Sequence, residues 1–464
     1  MGIAMGRRGF LKASAGFSLA ALGGAFARDL PGRPNVLFIM TDQQTAGAMS
    51  AVGNRYVNTP NMDALAQNGV LFEQSYCTSP VCSPSRSSLV TSRMPHETGV
   101  PHNNHQQFDT TLPSMGSIFR DAGYRTGWAG KWHLPESYPV GNTVPGFEYL
   151  QPVPRPERDF NGLNVDDNVA DAAIAFLKRE AAEPFLLAVS LHNPHDICGL
   201  TEKGYPKPDD DHAVPPLPDN FAIDPTEPEF ISRQRKRQRY GPENSETVGW
   251  TDAQWRYYLH RYYRYVEAVD EQIGRIMEVL RSQGLEDNTI IIFTSDHGEG
   301  TAAHKWVVKL MLYEEPAKVP MIVCWKGVTT QRVDGRHLVS GLDVVPTLCD
   351  YAGIKCPDTL RGMSLRPVIE SPEKSSRDHL VCQLYLNPEE AGRMLRTERY
   401  KYILFSMGER PEMLFDLTAD PGEMHNLAYD IRNRDILAEH RHLLRQWMAD
   451  TNDDYLDRFG VPGT

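Results

Sequence analysis

The chain has 464 residues, 41% of them hydrophobic, with 48 basic against 60 acidic side chains and a formal net charge of −12. That length allows a sizeable core in one large domain plus a smaller one. The acidic balance excludes a global attraction for nucleic acid or anionic membranes, so any site for an anion must gather positive charge locally.

At the N-terminus, "RRGFLK" (Arg7 to Lys12) precedes the small and apolar run "ASAGFSLAALGGAFA", which ends in an Ala25-Phe26-Ala27 cleavage pattern. The run is too short and too glycine-rich to span a membrane. A general secretory signal is the plain alternative. Arg7 and Arg8, followed by Phe10, Leu11 and Lys12, resemble a bacterial twin-arginine signal, so residues 1–27 are expected to be an export signal to the periplasm or the exterior. Their removal leaves 45 basic against 60 acidic residues, a net −15. The seven cysteines, at 77, 82, 198, 324, 349, 356 and 382, show no metal-type paired spacing and an odd total. Cys324, Cys349 and Cys382 lie in apolar stretches and read as buried small hydrophobes, whereas Cys77 and Cys82 could pair.

Along the chain, "NVLFIM" is continuously apolar and ends at Thr41-Asp42, the pattern of a strand buried on both faces of a parallel sheet. "SMGSIFRDAG" predicts a helix stopped at Gly123. "PFLLAVSLHNPH" predicts a strand running into His192 and His195. Residues 201–250 are polar with little periodicity and read as a long surface excursion; its basic run "RQRKRQR" is either a solvated helix face or a grip on a polyanion. Leu259, Tyr262, Val266, Val269, Ile273, Ile276 and Leu280 form the apolar stripe of a long helix ended by Gly284, with no functional weight. "NTIIIFTSD" repeats the buried-strand syntax and leads to Asp296 and His297. Beyond a composition shift at 366–378, "RMLRTERYKYILF" alternates like a hairpin and residues 430–450 read as helix.

The expected fold is α/β: a large, mostly parallel central sheet flanked by helices over residues 33–370, then a small C-terminal α+β subdomain with an antiparallel sheet over 371–464. Two buried strands each deliver an acid at the C-terminal end, where open α/β sheets put their ligand sites. Asp42, Asp296 and His297, with the Gln43 amide beside them, suit a divalent cation such as calcium, magnesium or manganese. A lone aspartate after a strand reads as a helix cap or turn former; two such strand ends also suit a metal. Pro84 opens a helix with Cys82 just ahead of it, facing the unpaired amides and positive dipole end, so this thiol is expected to be acidic, with Arg86 one turn on.

"CSPSRSSLVTSR" resembles the C-x-P-x-R signature of the formylglycine-dependent sulfatases, the type I sulfatases of the alkaline phosphatase superfamily. "GYRTGWAGKWHL" at 123–134, "NPHD" at 193–196, "TSDHGEGTAAHKWVVKLMLYEEPAKVP" at 294–320 and "LFDLTADPGEMHNLA" follow in the family's order, extending the resemblance over about residues 33 to 430. It implies that a maturation enzyme converts Cys82 to formylglycine, whose hydrate is the nucleophile on a metal shared with Asp42, Asp296 and His297. It also implies that Arg86 holds the hydrate and that Lys131 and Lys309 bind the sulfate oxygens. By the same resemblance His133 acts as base when the covalent sulfate hemiacetal collapses, and His195 protonates the leaving oxygen.

Three positions depart from the family pattern: Gln43 stands where a second aspartate is common, His297 where many members have asparagine, and Ser92 where the signature has glycine. Calcium is the expected ion, with manganese or magnesium as alternatives. His192, His102, His105 and His304 are expected as extra substrate contacts. The implied substrate is a sulfated carbohydrate, of glycosaminoglycan or heparan type from the likeness of "HNPHDICG", or a smaller sulfate ester. The rival activities are phosphonate or phosphate ester hydrolysis and glycan binding without turnover by an unmodified Cys82.

Overall fold

Asn35–Asp42 is buried along its whole length and pairs in parallel with Thr289–Ser295 on one side and Phe185–Pro194 on the other. A computed structural model describes residues 32–103, 108–134, 143–150, 162–198, 214–240 and 245–463; the expected signal at 1–27, His105 and residues 201–213 and 241–244 of the 201–250 excursion lie outside them. The central sheet has nine strands, in the order Arg332–Asp334, Gly69–Phe72, Met321–Cys324, Thr289–Ser295, Asn35–Asp42, Phe185–Pro194, Arg125–Gly130, Phe147–Tyr149 and Thr143–Val144. Its middle is parallel; Met321–Cys324 and the edge strand Thr143–Val144 run antiparallel to their neighbours. The three central strands are covered on both faces and are therefore apolar without alternation, each fully buried aliphatic side chain contributing roughly 1.5–3 kcal/mol. Parallel pairing brings the C-terminal ends of all three to one edge, with Asp42 in register with Pro194 after a bulge.

The long helix spans Asp252–Ser282, opened by a Thr251 capping box and followed by Gly284 at φ 68°. Its stripe is buried from Leu259 through Leu280, packing beneath the sheet with Leu37, Ile39 and Val189. Met115–Asp121 is likewise helical, with Ser114 as cap. No helix among the described residues is long and apolar enough to cross a membrane.

The C-terminal part is a four-stranded antiparallel sheet, His379–Tyr385, Ala391–Thr397, Tyr400–Phe405 and Glu412–Asp416, with the helix Arg434–Thr451 against it. Both its faces are apolar. Leu395, Tyr402 and Leu414 meet Leu437, Leu444 and Met448 of that helix, whereas Cys382, Met394 and Ile403 meet Tyr76, Trp306 and Leu312. The second face thus presses on the segments leading to Cys82 and carrying Lys309.

The described part of the 201–250 stretch differs from a solvated excursion. Glu229–Arg237 is a helix whose Phe230 stacks on Phe405 at 4.4 Å, and Arg235 is buried against Glu227 at 2.6 Å. Arg237 pairs with Glu390 at 2.7 Å. Phe230 and Ile231 supply too few apolar positions for a periodic signal, so the burial was invisible to pattern. The cysteines are all free, so Cys77 and Cys82 do not pair.

Candidate active site

Cys82 begins the buried ten-residue helix Cys82–Thr91, and every side chain in that helix is shielded from solvent. Pro84 falls in its first turn, and Ser92 closes it at φ 54°, the left-handed region that favours glycine. The Ser92 hydroxyl offsets that strain by donating to the Leu342 carbonyl at 2.7 Å and accepting from the Gly362 N–H at 3.1 Å. The helix start faces the strand ends: Cys82 Sγ lies 3.2 Å from His297 Nε2, 3.7 Å from Asp42 Oδ1 and 2.9 Å from Lys309 Nζ.

Arg86, one turn on, is the clamp. Its Nη2 donates to Asp42 and its Nε to Asp296, each at 2.8 Å, while Nη1 reaches the Lys131 carbonyl at 2.7 Å and Ser190 Oγ at 2.9 Å. Lys131 Nζ sits 2.6 Å from Asp42 Oδ2. One guanidinium therefore fixes both carboxylates and the strand that delivers Lys131, which a lysine's single point charge could not do.

Burial pushes the Cys82 thiol up, but Lys309, Lys131 and His297 overcome it and hold the thiol well below its ordinary value. Burial and Cys82 likewise push Asp42 up, and Lys131, His195 and Arg86 bring it well below the usual carboxylate range. Asp296 goes the other way, raised by burial and by Asp42. Burial and then Lys131 keep His133 low; burial, Lys131 and Lys309 keep His195 well below its ordinary value, so both are neutral without an anion present.

Asp42, Cys82, Asp296 and His297 offer ligand atoms within 4.8 Å of one another, all buried. The donor chemistry fits a divalent cation. His297 Nδ1–H donates to the Gly298 carbonyl at 2.9 Å, which leaves the Nε2 lone pair for the cluster. Gln43 is beside this group, but its amide bonds elsewhere: Oε1 accepts from Lys309 Nζ at 2.8 Å and Nε2 donates to Glu299. Gln43 has φ 74°, held by its N–H on Asp296 at 3.0 Å and by Tyr262 OH on its carbonyl at 2.8 Å.

The structure thus brings together Cys82, Arg86, Lys131, Lys309, Asp42, Asp296 and His297, with His133 and His195 close enough to bond Cys82. His192 is one-quarter exposed, its ring 5.0 Å from that of His195 and its Nε2 3.1 Å from Asp196. His102 stacks on Tyr385 at 5.5 Å. His304 is a correction: it is 1% exposed and stacks on Tyr313 at 3.9 Å, so substrate has no path to it. The stripe without functional weight is a second correction, because Tyr262 holds Gln43 and its neighbour one turn earlier, Tyr258, holds Glu299. Glu299, Ser190 and Asp166, which accepts from the His192 and Asn193 amides, were also missed. Only Glu299 had a signal, as the residue two places after the His297 of a quoted motif.

A family model described as Sulfatase matches residues 34–354, and one described as N-sulphoglucosamine sulphohydrolase, C-terminal, matches residues 302–450. A Delta 4,5-hexuronate-2-O-sulfatase of Bacteroides thetaiotaomicron is 33% identical over 452 residues, covering 91% of this chain and 90% of its own. A solved 2-O GAG sulfatase superposes with a TM-score of 0.81 at 31% identity, over 92% of this chain and 94% of its own. A phosphonate monoester hydrolase of Agrobacterium radiobacter reaches 0.77 at 25% identity, over 92% and 97%.

Proposed function

The chain belongs to the type I sulfatases of the alkaline phosphatase superfamily, and on that premise we propose that its substrate is a sulfated carbohydrate of glycosaminoglycan type. The first compound to try is a 2-O-sulfated hexuronate, the substrate position named for two of the similar proteins. We further propose that a maturation enzyme converts Cys82 to formylglycine, that Ca2+ is the ion, with Mn2+ or Mg2+ as alternatives, and that the twin-arginine-type stretch exports the folded chain to the periplasm or beyond. When present, the formylglycine hydrate supplies a nucleophilic hydroxyl with a second one for expelling sulfate, and the cation supplies Lewis acidity.

The observation that carries this reading is the charge around residue 82. Arg86, Lys131 and Lys309 face two carboxylates, Asp42 and Asp296, leaving one positive charge in excess once residue 82 is neutral. Arg86 bridges the two acids and Lys131 shares Asp42 with it, so the excess charge is offered to sulfate oxygens through the ammonium groups of Lys131 and Lys309. Asp42, Cys82, Asp296 and His297 would hold the ion, with Gln43 beside them. An anion bound there would favour the protonated form of His195, which would then give its proton to the leaving oxygen, and His133, held neutral, would be the base toward the residue 82 hydroxyl.

The test compares sulfate release from a 2-O-sulfated unsaturated uronide, an aryl sulfate and a phosphonate monoester, with mass analysis of the Cys82 peptide from the same preparation. Preference for the sulfated uronide, with residue 82 as aldehyde or hydrate, is expected. Preference for the phosphonate would reverse the reading, and an intact thiol in active enzyme would remove formylglycine from it.

A further inference from the structure

The helix Val344–Ala352 ends in a turn that folds the chain back on itself. Gly353 stands at φ 65°, its N–H donates to the Asp350 carbonyl at 3.2 Å, and the Ile354 N–H donates to the Cys349 carbonyl at 2.8 Å. These two bonds, one from the left-handed glycine and one from the residue after it, set the outgoing chain beside the last turn of the helix. Cys356 follows two residues later, and the Cys349 S–H donates to its sulfur. Both are free thiols in the structure; Cys349 is fully buried and Cys356 half-buried.

We propose that Cys349 and Cys356 are a modification site, joined as a disulfide when the folded chain meets a disulfide oxidant, an encounter that export from the cytoplasm would bring about. The two thiols differ in the way such a reaction requires. The hydrogen bond from Cys349 favours the thiolate of Cys356 and brings that thiol below its ordinary value, whereas the same bond, with burial, raises Cys349. Cys356 is thus the nucleophile within reach of a reagent. Its thiolate attacks one sulfur of the oxidant R–S–S–R, forming a mixed disulfide and expelling RS⁻. The sulfur of Cys349, giving up its proton, then attacks Cys356 Sγ and expels the second RS⁻. The two protein thiols are oxidised, and the external disulfide is reduced to two thiols that carry away both protons. The bridge would fix the end of a helix whose preceding turn, at Leu342, accepts from the Ser92 hydroxyl. Cys77 and Cys382 provide the contrast. The Gln383 N–H donates to the Thr78 carbonyl at 2.7 Å and the two thiols beside that bond are themselves hydrogen-bonded, yet they are 2% and 0% exposed. No oxidant reaches them in the folded chain, so they should remain thiols.

The test exposes the folded, full-length chain to excess oxidised glutathione, blocks the remaining thiols with iodoacetamide and digests the product with trypsin without reduction. Cleavage after Lys355 separates the two cysteines, so a bridge shows as peptide 337–355 linked to peptide 356–361. That linked pair is expected in most of the chain, with Cys77 and Cys382 recovered as blocked thiols. Dithiothreitol should remove the link, and Cys356→Ser should never form it. Recovery of Cys349 and Cys356 as blocked thiols overturns the inference, as does a lasting glutathione adduct on Cys356 with Cys349 still free. A link that forms only in urea, or only together with oxidation of Cys77 and Cys382, also overturns it, because the bridge would then belong to the opened chain.

Discussion

Two buried charge networks lie in this chain, and they are built to opposite ends. Around Lys401, which is fully buried, Glu314 at 3.0 Å and Glu423 at 2.8 Å close the charge locally, with Tyr76 OH on Glu314 at 2.8 Å and Arg396 on Tyr76 at 2.9 Å. Around Cys82, three cations, Arg86, Lys131 and Lys309, face only two acids, Asp42 and Asp296, which leaves one positive charge in excess. The first network ties the C-terminal sheet to the main body. The second keeps unspent charge that an anion can satisfy. Burial alone therefore does not mark a functional cluster; the imbalance does.

Substitution at the centre of the second network should break the comparison most sharply. Cys82→Ala should abolish sulfate release, by about 10^4-fold or more, with Tm held within a few degrees, since the lost group was not part of a closed ion pair. A Tm collapse on scanning calorimetry would make Cys82 structural like its buried counterparts. His195→Ala comes next: removal of the acid should cost about 10²–10⁴-fold on a sugar sulfate, whose leaving oxygen needs a proton, and much less on an aryl sulfate with an acidic phenol. Equal losses on both substrates would remove that role.

The first network should respond in the other currency. Lys401→Met leaves Glu314 and Glu423 buried without their cation and should destabilise the chain by about 3–5 kcal/mol in urea unfolding, while kcat of the folded fraction persists. The smallest effect lies at Asp166, buried under the amides of His192 and Asn193 and pushed up to about 6, chiefly by burial. A carboxyl raised in the folded state binds its proton more tightly there than when unfolded. Its contribution is thus full below the ordinary carboxylate range and declines as pH rises to about 6. Unfolding curves of wild type and Asp166→Asn should therefore differ by a quantity that falls across that window and is flat above it; no slope difference would refute the shift.

Much of the site was legible because it is local. Asp42 and Asp296 each follow a continuous apolar run, and Cys82, Pro84 and Arg86 share one helical turn, so strand and helix geometry nearly dictates where they point. His304 shows where locality misleads, since it stands five residues before Lys309 yet turns inward under Tyr313. The basic run behaves similarly: five cations in seven residues predict a solvated face, but Phe230 anchors the helix and carries Arg235 inside.

By itself the sequence determined the buried central strands, the long amphipathic helix, the C-terminal hairpin and the ordered motifs that carry the chemistry, because each depends on neighbours within a few residues. Only the tertiary structure decided which groups complete those motifs. Glu299 meets Gln43 across 256 residues of chain, and Tyr262, from a stripe that periodicity reads as plain core, reaches the site together with Tyr258 one turn before it. Hydrogen bonds and charge pairs act over about 3 Å of space, and the sheet that brings such distant segments together leaves no periodic trace in either one.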